Sequence, residues 1–470
     1  MRVLIAGATG FIGRALVSRL RRDGHSVVAW ARSETSALSL LGTDVDVIST
    51  AAGQDPLTHA LSQCDAVVNL AGEPILGKRW TAARRTVLRE SRVGVTAQLV
   101  SAIEAANPRP RVLVSGSAVG FYGSRGSEVL DESSASRGDF LSRLCLDWET
   151  AAQRATTFGV RVVTLRTGVV LGRGGGALAQ MLPPFKAGVG GPIGSGRQYF
   201  PWIHLRDLAE LIVTAVRDDR YAGPVNAVAP DLVTSKRFAR ALGHALRRPS
   251  VLPTPPAALR AIFGDAAIVL LASQRAEPSA ARRNGFVWQF PSIDAALTDV
   301  VRGDSVNIVR VTTPPSNVAG ATYVLTASTE ISAPADQVFA FFCRPGNLGL
   351  ITPAPMQFRV VGHVPQLSDG ATIEYQMRFG PIPVRGRIRI TGWNPPRSYV
   401  DVQEAGPYRV WRHEHHFAPN GPTTTLDDRV YYAPRLGALS GIINRWLIAP
   451  HLREFFRYRA EVLKLRFGSP

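Results

Sequence analysis

Gly7, Gly10 and Gly13, in the stretch GATGFIG, have the clearest chemical use of any residues in the chain. A glycine turn between an apolar run and a helix start leaves backbone N–H groups unpaired. The positive helix end adds to their pull on an anion. Gly7 permits the turn, Gly10 lets a diphosphate reach the backbone, and Gly13 lets the helix lie against the strand. This spacing points to a dinucleotide site. A Walker loop is excluded, because no Gly-Lys-Ser/Thr follows. Downstream, HSVVAW leads into Ala31, Arg32 and Ser33. An acid at that strand end would accept from the ribose hydroxyls of NAD(H). A guanidinium and a hydroxyl suit a 2′-phosphate instead, so the expected coenzyme is NADP(H).

The elements that position these residues are short apolar strands alternating with helices. The sequence predicts strands over 3–6, 25–30, 65–70, 111–115 and 159–166, and a helix over 84–103. That alternation implies an α/β doubly wound parallel sheet of Rossmann type, with ligands at the strands' carboxyl ends. The glycines of NLAG (69–72), GSAV (116–119) and TGVVLG (167–172) all fall there. Further helices over 236–246, 257–271 and 293–301 form a small C-terminal lobe. The glycine-rich stretch 188–196 reads either as a mobile lid or as a rigid multi-turn connection.

With 470 residues, 45% hydrophobic and 19% charged, the chain holds two or three globular domains. The net charge of +18 is carried almost wholly by arginines, since only Lys78, Lys186, Lys236 and Lys464 are lysines. The arginines are dispersed and no nucleic-acid-binding module appears, so the charge points to anionic cofactors or membrane surfaces rather than nucleic acid. Cys64, Cys145 and Cys343 are too widely spaced for a disulfide framework or zinc motif. No apolar run reaches the ~20 residues of a membrane span. The first residues read as a core strand rather than a signal peptide, which fits a cytoplasmic protein.

The segments GATGFIG, NLAG, SGSAVGFYG, LRTGVVLGRGGGAL and GGPIGSGRQYFPWIHLRDLA, with the late NAVAP, resemble the atypical extended short-chain dehydrogenases labelled "epimerase family" proteins. The resemblance covers about the first 300 residues. It implies an NADP(H)-binding domain with cofactor contacts at Gly7, Thr9, Gly10, Phe11, Ile12, Gly13, Ala31, Arg32, Leu70, Ala71, Arg92 and Val170.

Short-chain dehydrogenases use a Tyr and a Lys four residues later to move a proton at the substrate oxygen. Here the residues four before the lysines are Pro74, Leu182, Leu232 and Ala460, so the pair is absent. Alignment on Glu149 puts Leu141 at the Tyr position and Cys145 at the Lys position. Ser117 matches the family's hydroxyl that polarises a substrate carbonyl. Tyr122, His204 and Glu73 are the residues left that could supply acid–base chemistry by type. Two readings are open. One is an NADP(H)-dependent oxidoreductase or epimerase-like enzyme on a small carbonyl or hydroxyl substrate. The other is a non-catalytic regulator that binds NADPH and a hydrophobic ligand.

The expected domains are 1–303, a linker over 304–322 that includes a strand over 306–311, and a second domain over 323–468. The second domain shows strands over 323–331, 358–364, 372–379, 385–393, 399–403, 408–417 and 424–432, with turns such as Pro419-Asn420-Gly421-Pro422 between them. A short helix follows Pro334, and a long helix over 436–467 is kinked by Pro450. This order, with VFAFF and FFRYRAEVLK, resembles the helix-grip, START/polyketide-cyclase-like superfamily. That resemblance implies an α+β domain with a cavity for a hydrophobic ligand. His413 and His415 share one strand face, which reads as a solvated face rather than a metal site.

Overall fold

The computed structural model describes residues 1–42, 45–173, 175–302, 306–362, 366–379, 382–435 and 440–468. These form two compact units that divide near residue 303.

The first unit is built on seven parallel strands: β1 (Arg2–Ala6), β2 (Ser26–Ala31), β3 (Asp46–Ser49), β4 (Ala66–Asn69), β5 (Val112–Ala118), β6 (Arg161–Thr167) and β7 (Gly223–Ala227). Their spatial order is β7-β6-β5-β4-β1-β2-β3. The order reverses beside β1, which pairs Ile5 with Ala29 on one side and with Val68 on the other. That reversal opens a crevice at the strands' carboxyl ends. Strands β1, β2, β4, β5 and β6 carry mostly apolar, buried runs because helices cover both faces. Leu4, Val28, Val67 and Leu113 are buried with Leu57, Leu99 and Ile103 from helices on one side. Each such side chain contributes about 1.5–3 kcal/mol by leaving water.

The helix expected over 84–103 is continuous but not uniform. It runs Ala82–Arg89, passes through a π-helical turn at Glu90–Gly94, and resumes over Val95–Ala105. The glycine-rich stretch 188–196 is a packed connection. A Cβ on Gly191 would overlap the Leu252 carbonyl oxygen, and one on Gly190 the Phe185 ring. Gly194 N–H donates to Thr254 O at 2.9 Å, and Ile193 N–H to Ser235 Oγ at 3.1 Å.

The second unit is an antiparallel sheet of eight strands: β8 (Val306–Arg310), β9 (Tyr323–Ile331), β10 (Arg359–Val361), β11 (Thr372–Phe379), β12 (Ile382–Asn394), β13 (Ser398–Ala405), β14 (Tyr408–Asn420) and β15 (Thr423–Pro434). The spatial order is β8-β9-β15-β14-β13-β12-β11-β10. The strand expected inside the linker pairs with β9, so this sheet begins at Val306 rather than at Tyr323. The first residues of the long C-terminal helix, 436–439, lie outside the described residues, as do 363–364 of the expected strand 358–364. The described part of that helix runs Ser440–Ile443, a π-helical turn at Asn444–Ile448, and Ala449–Phe467. Pro450 thus follows the π-helical turn inside a continuous helix, where the widened turn accommodates its missing N–H. Leu463 packs with Phe339, Phe342, Ile373, Ile390, Phe417 and Leu426. Leu452 and Phe456 pack with Leu325, Val430 and Tyr432.

Candidate functional site

The turn after β1 has the geometry of a phosphate cradle. Gly7 has φ +81°, and a Cβ there would stand 2.8 Å from the Leu70 carbonyl carbon. A Cβ on Gly13 would overlap the Gly7 carbonyl oxygen. Gly10 is the N-cap of the Phe11–Arg22 helix and offers no side chain to its free N–H groups. Water or a bound anion can take up such groups. The Phe11 ring fixes the other wall: Cβ atoms on Gly172, Gly175 and Gly176 would come within 2.9, 2.6 and 3.0 Å of it. Thr9, Ile12 and Val170 are half-buried around the same turn.

At the end of β2, Ala31 is half-buried and the Arg32 side chain is 87% exposed. Its guanidinium meets the Glu73 carboxylate at 3.7 Å. Glu73 also meets Arg84 at 3.4 Å. At the end of β4, Asn69 is fully buried; its amide donates to Thr96 Oγ1 at 2.8 Å and its Oδ1 accepts from Ala71 N–H at 3.2 Å. This holds Leu70 and Ala71 against the crevice. The π-helical turn carries Arg92, which donates to the Glu73 carbonyl at 2.8 Å and lies 5.4 Å from the Trp148 ring centroid. Burial lowers its guanidinium from the ordinary arginine range.

Ser117, Tyr122 and His204 all sit inside the first unit with their polar atoms engaged. The Ser117 hydroxyl donates to Glu149 Oε1 at 2.6 Å. Arg166 grips the same carboxylate with two bonds of 2.9 Å. Its third nitrogen donates to the Tyr122 hydroxyl at 3.0 Å, and that hydroxyl donates to Asn226 Oδ1 at 2.7 Å. Arg166 also stacks 3.5 Å from the Phe121 ring centroid. Burial pushes the Tyr122 phenol up to about 12, against the opposing pull of Arg166 and Asn226. His204 is fully buried. Its Nδ1 accepts from Arg206 N–H at 3.2 Å, capping the Leu205–Arg217 helix, which leaves Nε2 to donate to Asp299 at 3.2 Å. Its ring lies 3.8 Å from that of Phe290. Leu141 and Cys145 face Gly120 just past β5, where a Cβ would stand 3.5 Å from Leu141 Cβ and 3.9 Å from Cys145 Sγ. Burial pushes the Cys145 thiol up to about 12, with Glu149 adding to the effect.

The Ser117–Glu149–Arg166–Tyr122–Asn226 chain links β5, β6 and β7 to the Phe140–Gln153 helix. Sequence reasoning missed its extent. The available signal was a carboxylate in LDWE and a cation in LRTG, each inside an apolar run that buries a charge only with a partner.

The second unit overturns the solvated-face reading of His413 and His415: they are only 5% and 3% exposed. They face a cavity of about 160 Å³ lined by apolar and aromatic residues such as Ile373, Ile390, Trp411 and Phe455, together with Asp401 and Arg459. The pleat alternates, so the two imidazoles turn inward while Glu414 and His416 do not. Asp401 stands opposite His413 in the β13–β14 ladder, and Asp428 opposite His415 in the β14–β15 ladder. Asp401 Oδ2 is 3.4 Å from His413 Nδ1 and 3.0 Å from His415 Nε2. Asp428 Oδ1 is 3.0 Å from His413 Nε2, 3.1 Å from His415 Nδ1 and 2.7 Å from Arg459 Nη2. Burial opposes ionisation of both carboxyls, but the facing cations hold both well below the usual carboxylate range.

Among the described residues, no helix is long and apolar enough to cross a membrane. Comparison with known proteins places the first unit. The model of the NAD dependent epimerase/dehydratase family matches residues 3–227, and that of a domain of unknown function, DUF1731, matches 254–300. Epimerase family protein SDR39U1 of Bos taurus is 42% identical over 306 residues, spanning 64% of this chain and 100% of the relative. Epimerase family protein YfhF of Bacillus subtilis is 34% identical over 302 residues, spanning 64% and 98%. The crystal structure of human SDR39U1 (isoform 2) with NADPH superposes with a TM-score of 0.59 at 40% identity, covering 64% of this chain and 99% of that one. The glycine cradle and these matches together establish that the chain belongs to the NAD dependent epimerase/dehydratase family.

Proposed function

We propose that the first unit binds NADP(H), with its diphosphate on the Gly7–Gly13 turn and its 2′-phosphate on Arg32. The single observation that carries this is the bare cradle: uncapped N–H groups over glycines whose Cβ positions are already filled by neighbouring backbone. The crystal structure of human SDR39U1 with NADPH supports the choice of coenzyme. Ala31, Leu70, Ala71, Arg92 and Val170 line the remainder of the coenzyme site. The coenzyme supplies a hydride at its nicotinamide ring; the chain supplies binding and orientation.

Once the coenzyme is bound, a specific observation favours the regulatory reading over turnover. Ser117, Tyr122 and His204 each satisfy internal partners, and in the alignment on Glu149 the places of the proton-transfer pair fall to Leu141 and Cys145. An oxidoreductase or epimerase acting on a small carbonyl or hydroxyl compound would need another proton donor. The test is titration of the full chain with NADPH and NADH by calorimetry, followed by incubation of the NADPH complex with a library of aldehydes and ketones. Heat with NADPH and a stable reduced-nicotinamide absorbance support the regulatory reading. Oxidation with any carbonyl supports the enzyme.

We further read the second unit as a helix-grip domain for a hydrophobic ligand. The strand order, the C-terminal helix and the apolar cavity support it.

A further inference from the structure

The buried cluster on the cavity wall of the second unit contains more than an ion pair needs. Four imidazole nitrogens, two from His413 and two from His415, all face carboxylate oxygens. Two of these contacts, His413 Nε2 to Asp428 and His415 Nε2 to Asp401, are hydrogen bonds of 3.0 Å, and Arg459 lies beside them on the wall of an apolar cavity. His413 Nδ1, at 3.4 Å, and His415 Nε2, at 3.0 Å, both face the same Asp401 oxygen. One group satisfies all the contacts on that side at once.

We propose that Asp401, His413 and His415 form a binding site for a divalent transition metal ion, of the zinc or ferrous class. The three side chains offer ligand atoms that all lie within 4.8 Å of one another. The carboxylate-to-nitrogen separations, 3.0 and 3.4 Å, suit ligands held about 2.0–2.2 Å from a common centre. Behind the site, Asp428 accepts from His413 Nε2 at 3.0 Å and stands 3.1 Å from His415 Nδ1, which also lies 3.4 Å from Arg459 Nη2. Carboxylates placed in this way fix the tautomer and aim of metal-bound histidines. Arg459 in turn neutralises Asp428. Trp411 Nε1 donates to Asp401 Oδ1 at 3.2 Å, leaving Oδ2 as the atom turned toward the rings. Two histidines and one carboxylate leave coordination positions open, and here they open to the cavity. An oxygen atom on an otherwise apolar molecule is the chemistry that would complete the shell. Uptake of the ion displaces the protons on the Asp401-facing nitrogens, so binding releases at most two protons per metal. The metal assignment stands or falls independently of the coenzyme reading.

The experiment is titration of the full chain, stripped with EDTA, with Co²⁺ and Zn²⁺. Expected are one Co²⁺ per chain with visible d–d absorption from a site of low coordination number, displacement by Zn²⁺, and proton release detected by calorimetry in two buffers of different ionisation heat. His413→Ala with His415→Ala should abolish the absorption. Asp428→Asn should weaken binding by about 10- to 100-fold while leaving the stoichiometry at one. His416→Ala, on the exposed face of the same strand, should change nothing. Should the double variant not fold, Asp401→Asn takes its place, and near-UV circular dichroism establishes that each protein is native. Absence of cobalt uptake by the native chain overturns the proposal, and so does unchanged uptake by a folded ligand variant. The cluster is then a proton-filled ion network.

Discussion

The Ser117 hydroxyl and the Glu149 carboxylate are joined at 2.6 Å inside the first unit, and Arg166 closes on the same carboxylate from β6. A hydroxyl so placed aligns a helix with a strand. Ser117→Ala should therefore cost about 1.5–3 kcal/mol in urea unfolding, the worth of a hydrogen bond to a charged group, with NADPH affinity retained. Arg166→Ala should cost more, about 3–5 kcal/mol, because it strands a buried carboxylate. A Ser117→Ala protein of undiminished stability that loses a measured turnover would instead assign the hydroxyl to substrate.

Arg32 is exposed, and Glu73 is too distant to occupy its guanidinium fully. Arg32→Asp should weaken NADPH binding by about 10- to 100-fold, the loss of one charge-assisted contact, with a smaller effect on NADH. Calorimetry with the two coenzymes reads this difference. Equal losses would place the guanidinium on the adenine rather than on the phosphate.

Gly13 has no room for a methyl group against the Gly7 carbonyl. Gly13→Ala should lift the Phe11–Arg22 helix from β1, abolish coenzyme heat and lower the melting temperature. Gly24→Ala gives the comparison: its neighbourhood is open, but its φ of +75° strains any side chain, so it should reduce stability while sparing affinity.

The three cysteines are buried, and burial pushes the thiols of Cys64, Cys145 and Cys343 up to about 11, 12 and 11. Thiolate is the reactive form. Iodoacetamide at pH 8 should leave the native chain unlabelled by intact-mass measurement and add three groups after denaturation. Rapid labelling of Cys145 in the native state would mean that the Phe140–Gln153 helix opens.

Legibility in the sequence tracked burial. Strands β1, β2, β4, β5 and β6 were readable because both faces are covered and their apolar runs are unbroken. Strand β3 was missed: only four residues long and none of them buried, it carries too weak a pattern. The π-helical turn at Glu90–Gly94 has no compositional mark, since it inserts an extra residue per turn without glycine or proline at its start. The coenzyme cradle was legible because only glycine meets its steric demands. The charged cluster of the second unit was not. Alternation identified a strand over 408–417, which the structure extends to Asn420, but polarity chose the wrong face as solvated. His413 and His415 are inward residues that happen to be polar, and their partners Asp401 and Asp428 lie on other strands, where spacing along the chain gives no hint of them.

The ladder between β14 and β15 closes through the two-residue loop Gly421-Pro422, with Gly421 at φ +61° as a type II′ hairpin requires. From that loop the pairing runs unbroken through Phe417–Leu426 and His415–Asp428 to His413–Val430. Side chains alternate with period two, so a slip of one residue would expel both imidazoles and draw Glu414 and His416 inward. The chemistry of the inner wall is thus indexed by the length of a distant hairpin. A single inserted residue there would erase it without touching any of the groups involved.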